Sequence, residues 1–232
     1  MTQLPDRKML KQPQPARSGF RIALKIVLIA ALVAMTNWGF GDRVGLLVDN
    51  SRYGTLIPYV AIWGVALMAI VIAAFQPNHW VRLFWTVLIA LSGTVAWGYH
   101  SASQSEFTVF DIVSLWIARH EAGRAAEFYG QYILPASLLL AASLLVLGLP
   151  VTLTGSLSRW LKRLFWFPVL PVALIAAIVV MKGGGGSQAM PSQFSPVALT
   201  SLAGAKIALQ GAPERHQVAW TPVKPDRLRN IV

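Results

Sequence analysis

Residues 56–75 read LIPYVAIWGVALMAIVIAAF, a stretch without a single charged side chain. An α-helix of this length rises about 30 Å, which matches the hydrocarbon core of a bilayer. Ala69 and Ala73 lie four residues apart on such a helix, so they allow a second helix to approach closely. The stretch therefore predicts a membrane-spanning helix that packs against neighbouring helices.

The sequence on either side predicts further crossings of the membrane. Pro77 disfavours continuation of the helix, and the turn QPNH at 76–79 is long enough only for a hairpin between adjacent spans. Aromatic residues at both ends of the next apolar run are typical of membrane interfaces. The five predicted spans are 22–40, 56–75, 81–99, 132–151 and 164–181. In the last span, Pro168 and Pro171 are expected to kink the helix or delay its start.

The composition agrees with an all-α integral membrane protein. Of the 232 residues, 55% are hydrophobic and 12% are charged, and the mean hydropathy is +0.56, which leaves little chain for a soluble domain. The absence of cysteine excludes disulfides, thiol nucleophiles and cysteine-based zinc sites. The four histidines lie too far apart for a metal-binding helix motif. The sequence therefore predicts no cysteine-based site and no histidine metal motif in this chain.

The distribution of charge predicts an orientation. The formal net charge is +11, but the basic residues flank the spans, which argues against nucleic acid as a partner. With the N-terminus in the cytoplasm, basic residues are concentrated inside, and those near the first span, Arg21 and Lys25, are expected to snorkel to the head groups. The inner residues are Arg7, Lys8, Lys11, Arg17, Arg21, Lys25, Arg82, Arg159, Lys162 and Arg163, against Arg43, Arg52, Arg119 and Arg124 outside.

Three regions follow from these spans. Residues 1–20 form a basic cytoplasmic arm, residues 21–181 form a five-span membrane domain, and residues 182–232 form an outer tail that begins with a glycine-rich, flexible linker. The first span has an alternative interpretation as a cleavable signal peptide. Bulky Trp38 and Phe40 stand where a small-residue cleavage site would be needed, so the span is predicted to remain.

A long polar interval separates the third and fourth spans. Phe107, Phe110, Val113, Trp116 and Ile117 recur there in steps that place most of them on one helical face, which predicts an amphipathic helix lying in the membrane interface.

Charged residues in the same interval are candidate contacts to lipid head groups. Arg119 and Arg124 are suited to a lipid phosphate, and Glu121 is suited to an ethanolamine ammonium group. The alternative is that these charges simply face water.

The tail carries two further signals. Ser195 and Pro196 are typical of a helix start, and the apolar-rich stretch 197–209 is too short to span a bilayer. Three prolines then favour an extended path, and the chain ends in DRLRNIV at 226–232, where Asn230-Ile231-Val232 is typical of the beginning of a buried β-strand.

Together, the five spans, the long interfacial segment, the glycine-rich exit and the ending Arg229-Asn230-Ile231-Val232 resemble the membrane portion of the sulfatase-like phosphoethanolamine transferases of bacterial envelopes, in the alkaline phosphatase superfamily. The resemblance implies a multi-pass protein of the bacterial inner membrane with its C-terminus in the periplasm. It also implies that a catalytic domain starts at the final strand and continues past Val232. Zinc, its ligands and a Thr or Ser nucleophile are expected in that domain, so the resemblance implies no catalytic residue, no metal ligand and no cofactor in this chain.

The function expected from this resemblance is that of a membrane anchor that presents a phospholipid donor and is inactive without the catalytic domain. Its expected partners are membrane phospholipid and that domain. The alternative is a complete small polytopic accessory protein that binds a partner through its outer tail. A proton-coupled carrier is disfavoured because no acidic residue lies inside a predicted span.

Overall fold

A computed structural model describes residues 15–151 and 156–210 of the chain. Within these residues every regular element is helical. The helices are α1 (Pro15–Thr36), α2 (Gly39–Asp49), α3 (Tyr53–Ala74), α4 (His79–Ser103), α5 (Val109–Ile117), α6 (Ala122–Phe128), α7 (Gly130–Gly148), α8 (Ser156–Arg163), α9 (Val169–Met181) and α10 (Ser195–Gln210), with a 3-10 turn at Arg119–Glu121.

Four helices are long and apolar enough to cross a membrane: the Gly19–Thr36 part of α1, and α3, α4 and α7. Their outer faces carry large apolar side chains, such as Ile57, Leu134 and Leu145, which are 66–70% exposed. Faces of this kind suit lipid and are unfavourable in water. The described part of the chain is therefore all-helical, and its four apolar helices indicate a multi-pass membrane protein.

The long helices alternate in direction. Lys25, in the first half of α1, contacts the last residues of α3 and α7, and Arg82, near the start of α4, contacts Gln76 just beyond α3. We call this end of the bundle the Lys25 end. The opposite end, where α1 finishes and the chain reaches Asn37, is the Asn37 end.

Lys25 does not snorkel as the sequence predicted, because its side chain points into the bundle and is only 4% exposed. Its ammonium group donates to the carbonyl oxygens of Ala74 at 2.6 Å, Leu147 at 3.1 Å and Leu149 at 2.6 Å. These carbonyls lie at the C-terminal ends of α3 and α7, where helix carbonyls lack intrahelical partners and carry partial negative charge. Lys25 therefore joins three helices by capping two of them.

The centre of the bundle is formed by α3. Ala66, Ala69 and Ala73 are at most 1% exposed, and α3 packs against α4, α7 and α9. The small alanine side chains on this face of α3 thus allow the neighbouring helices to pack closely against it.

The fifth predicted span, 164–181, corresponds to a shorter helix. Helix α9 begins only after Pro168, so the prolines delay its start as predicted, and its 13 residues rise about 20 Å. At one end Trp85 donates to the carbonyl oxygen of Phe165 at 2.9 Å, and beyond the other end Gly184 lies against the ring of Phe110. Helix α9 therefore runs from the Lys25 end toward the Asn37 end.

The interfacial segment is divided where a single helix was expected. Helix α5 starts at a capping box in which Thr108 and Asp111 exchange hydrogen bonds, and it ends at Ile117, the last residue of the apolar pattern. The apolar pattern does not continue past Ile117. The residues that follow include several charged side chains, and they form the 3-10 turn and α6. The connection between α1 and α3 is also helical for most of its length, because it contains α2.

The glycine-rich stretch after α9 does not lead away from the bundle as a flexible linker would. Ser187, Ser192, Gln193 and Phe194 are at most 6% exposed, and α10 packs against α4, α5 and α9. The predicted helix start at Ser195 is confirmed. The predicted extended path and terminal strand at 211–232, like most of the arm at 1–20, lie outside the described residues.

Candidate functional site

The segment 187–194 enters the Asn37 end of the bundle and is held there by side chains from other elements. The carbonyl oxygen of Ala189 accepts hydrogen bonds from Tyr59 at 2.8 Å and Trp63 at 3.1 Å. The N–H of Ala189 donates to Glu106 Oε2 at 2.5 Å. Ala189 has a φ of 54°, a left-handed conformation that costs a non-glycine residue about 1 kcal/mol or more. These three hydrogen bonds hold the residue in that conformation.

A second set of hydrogen bonds ties the segment to α1 and α4. Asn37 Oδ1 accepts from the N–H of Ser192 at 2.8 Å, and Asn37 Nδ2 donates to Gln193 Oε1 at 3.1 Å. Gln193 Nε2 donates in turn to Thr36 Oγ1 at 2.7 Å, and Ser92 Oγ donates to the carbonyl oxygen of Ser192 at 3.0 Å. The Gln193 side chain lies against α4 at Gly93, where a Cβ would be in ordinary van der Waals contact, 3.7 Å from Gln193 Nε2.

Polar side chains in and at the ends of the long helices differ in their hydrogen-bond partners. Asn37 and Ser92 do so through segment 187–194. Ser137 bonds to a carbonyl of its own helix. The hydroxyl oxygens of Thr86 and Thr94 are buried and have no hydrogen-bond partner in the part of the chain that the structure describes.

These elements surround a cavity of about 90 Å³, which we call the Glu106 cavity. Glu106 is the carboxylate on its wall, and none of the described residues that line it is Lys or Arg. Ser192 also lines the cavity; it is 6% exposed, and among the described residues its Oγ has no hydrogen-bond partner. The rest of the wall includes His100 and the aromatic side chains of Trp38, Phe40, Trp63 and Phe107.

The chemistry of this wall favours a small cation with N–H donors. Aromatic faces attract a cation, a carboxylate pairs with it, and a buried hydroxyl oxygen without a partner requires a donor. Glu106 Oε2 is used by Ala189, whereas Oε1 lies near Gly39, whose missing Cβ leaves space beside it. A primary ammonium group meets all three requirements.

Helix α5 forms the neighbouring surface and is fixed by Asp111. The N–H and hydroxyl of Thr108 donate to Asp111 Oδ2 at 2.8 Å and 2.6 Å. Burial acts to raise the pKa of Asp111, but the hydrogen bonds from Thr108 and Tyr99 outweigh it and hold the pKa below its ordinary value. Asp111 is therefore ionised at neutral pH and, through the capping box with Thr108, fixes the start of α5.

The three residues predicted from the sequence lie outside the Glu106 cavity. Arg119 donates to the carbonyl oxygen of Trp116 at 2.9 Å and its guanidinium lies 4.9 Å from the Trp116 ring. Glu121 lies 3.5 Å from His120, with both side chains 55% exposed. Arg124 is exposed on α6. All three are thus on the surface at the Asn37 end.

Glu106 itself was missed by reasoning from the sequence. Its signal was present, since it is an acidic residue between the third span and the aromatic residue Phe107. Its partners come from far along the chain, however, with Ala189 lying 83 residues away.

Within the described residues, no three His, Asp or Glu side chains are grouped as a metal site requires. The fold and the cavity define a multi-pass helical membrane protein with a polar site at one end of its bundle. No family model matches the sequence, and no curated protein or solved structure matches it either.

Proposed function

We propose that this chain is the membrane domain of a sulfatase-like phosphoethanolamine transferase, and that the Glu106 cavity holds the ammonium group of an aminophospholipid donor. The observation that carries the proposal is the cavity wall, where a carboxylate, aromatic rings and the unpartnered Ser192 Oγ meet. Phosphatidylethanolamine offers the primary ammonium group that this wall favours.

The arrangement of charge supports the proposed orientation. The acidic residues in the described part of the chain all follow the end of α1 or α4, at the Asn37 end: Asp42, Asp49, Glu106, Asp111, Glu121 and Glu127. The charged residues that the structure describes at the Lys25 end are all basic. By the positive-inside rule the Lys25 end is cytoplasmic. The Glu106 cavity is then at the periplasmic face of the inner membrane.

In this proposal α9 completes a fifth crossing together with the residues that flank it. Its 13 residues are shorter than a bilayer core of about 30 Å, but they run between α3 and α10 from one end of the bundle toward the other. The chain after α10 would then lie in the periplasm, where the resemblance places the zinc-dependent catalytic domain. Arg119 and Arg124, exposed near the cavity's end of the bundle, are suited to lipid phosphates at the surface.

The division of roles follows from these positions. The membrane domain selects the donor by its ammonium group and holds it at the periplasmic face. The catalytic domain supplies the nucleophile and the zinc. Glu121, which the sequence offered as the ammonium contact, is less suited to this role than Glu106, because it lies beside His120 on the open surface.

The experiment compares lipid retention in the full chain. The protein is reconstituted in nanodiscs with equal amounts of phosphatidylethanolamine and phosphatidylcholine, and retained lipids are counted by native mass spectrometry. We expect enrichment of phosphatidylethanolamine, and a loss of about tenfold in Glu106→Gln, as expected for one charge-assisted hydrogen bond. Glu127→Gln removes an exposed acid at the same end and serves as the matched control. Equal retention of both lipids by the unmodified protein would contradict the proposal.

A further inference from the structure

The Lys25 end carries a second polar feature that the proposed function does not use. A groove lies between the turn 76–78 and α8, lined by Gln76, Pro77, Asn78, Val81, Lys162 and Phe165, and we call it the α8 groove. Gln76 is 1% exposed, and its Nε2 donates to the carbonyl oxygen of Leu161 at 2.7 Å. Within the described residues its Oε1 is buried without a hydrogen-bond partner. Gln76 therefore brings to the groove wall an acceptor that lacks the donor a buried acceptor requires.

Helix α8 is divided into an apolar and a basic face. Successive residues of an α-helix are about 100° apart, so Leu157, Trp160 and Leu161 lie on one side and the basic residues lie on the other. Leu161 is buried against the bundle, whereas Leu157 and Trp160 are half exposed. The basic residues are Arg159, Lys162 and Arg163.

Within the described residues no carboxylate balances this charge. The described acidic residues all lie at the Asn37 end, and Lys25 and Arg82, both more than 90% buried, hydrogen-bond to carbonyl oxygens at the Lys25 end. Buried cations of this kind are stabilised by a nearby anion. The half-exposed Trp160 and the exposed Trp166 beside the basic residues are suited to a membrane interface, where the available anions are phospholipid phosphates.

We propose that the α8 groove binds an anionic phospholipid with a hydroxyl-bearing head group, of the phosphatidylglycerol type. Lys162 pairs with the phosphate, and a head-group hydroxyl donates to Gln76 Oε1. The acyl chains lie along the exposed apolar side chains of α8. The site is at the opposite end of the bundle from the Glu106 cavity and does not depend on the proposed transferase function.

The test uses the full chain in nanodiscs that contain phosphatidylcholine with an equal amount of one anionic lipid. That lipid is either phosphatidylglycerol or phosphatidylmethanol, which has the same charge but no head-group hydroxyl. Retained lipid is counted by native mass spectrometry. We expect phosphatidylglycerol to be retained above phosphatidylmethanol, and phosphatidylmethanol above phosphatidylcholine.

Two charge variants complete the test. Lys162→Gln is expected to lower phosphatidylglycerol retention about fivefold, the effect of one basic residue near a lipid surface. Arg52→Gln removes an exposed cation at the Asn37 end and should leave retention unchanged. Equal retention of phosphatidylglycerol and phosphatidylmethanol would overturn the assignment of Gln76. Equal losses in the two variants would overturn the site as a whole.

Discussion

The side-chain amide of Asn37 donates a hydrogen bond of 3.1 Å to Gln193, a residue 156 positions further along the chain. This contact closes the bundle at the end that holds the Glu106 cavity. It joins the end of α1 to a segment that lies between two helices and has no regular structure of its own. Backbone of this kind is tolerated at membrane depth only where protein or a polar cavity surrounds it.

Asn37→Leu should therefore loosen the Asn37 end. The substitution leaves the N–H of Ser192 and the Oε1 of Gln193 without partners, so we expect a loss of about 2 kcal/mol of unfolding free energy. Thermal unfolding in detergent measures it. Asn50→Leu is the control, because Asn50 is exposed and bonds only within its own turn. Similar melting temperatures for Asn37→Leu and the unmodified chain would contradict the role of this contact.

Lys25→Met should destabilise the opposite end. Three carbonyl oxygens at the ends of α3 and α7 would lose a charged donor, and we expect a cost of about 3 kcal/mol. Arg21→Met, an exposed cation one turn earlier in α1, should cost little. If the two variants unfolded at the same temperature, Lys25 would be no more than a surface cation.

Gly39→Ala should narrow the Glu106 cavity while preserving the fold. A Cβ at Gly39 would lie 3.3 Å from Glu106 Oε1 and 3.5 Å from Ala189 Cβ, whereas one at Gly41 would have no neighbour within 4 Å. Phosphatidylethanolamine retention in nanodiscs should fall in Gly39→Ala and stay unchanged in Gly41→Ala. Unchanged retention in both variants would show that phosphatidylethanolamine does not bind in the cavity.

The Asp111 cap should make part of the stability depend on pH. The pKa of Asp111 is lowered from its ordinary value of 3.8, so its contribution is complete above that value and is lost as the pH falls through the lower folded-state pKa. Asp111→Asn should therefore be clearly less stable than the unmodified chain at about pH 7, and the difference should shrink at about pH 3. Unfolding curves at both values measure this. A difference that is the same at both would show that the charge of Asp111 plays no part.

The membrane character and the order of the helices were accessible from the sequence because they depend on local properties. The apolar run at 56–75 and the turn around Pro77 each predict their structure from their own residues, and α3 and the α3–α4 turn agree with them. The delayed start of α9 likewise follows from Pro168 alone.

The polar sites could not be predicted because their parts come together only in the folded bundle. Lys25 resembles a snorkelling lysine until the carbonyl ends of α3 and α7 are placed beside it. The glycine-rich stretch after α9 has the composition of a linker, but Tyr59, Trp63 and Glu106 hold it inside the bundle.

Photoaffinity labelling tests whether the Glu106 cavity holds the ammonium group of phosphatidylethanolamine. The full chain in nanodiscs is irradiated with phosphatidylethanolamine that carries a photoreactive group close to its amine, and the labelled residues are located by mass spectrometry. We expect labels on the wall of the Glu106 cavity, chiefly at Trp38 and Phe107, and much weaker labelling in Glu106→Gln. Labels confined to other surfaces, or unchanged by that substitution, would contradict the proposal.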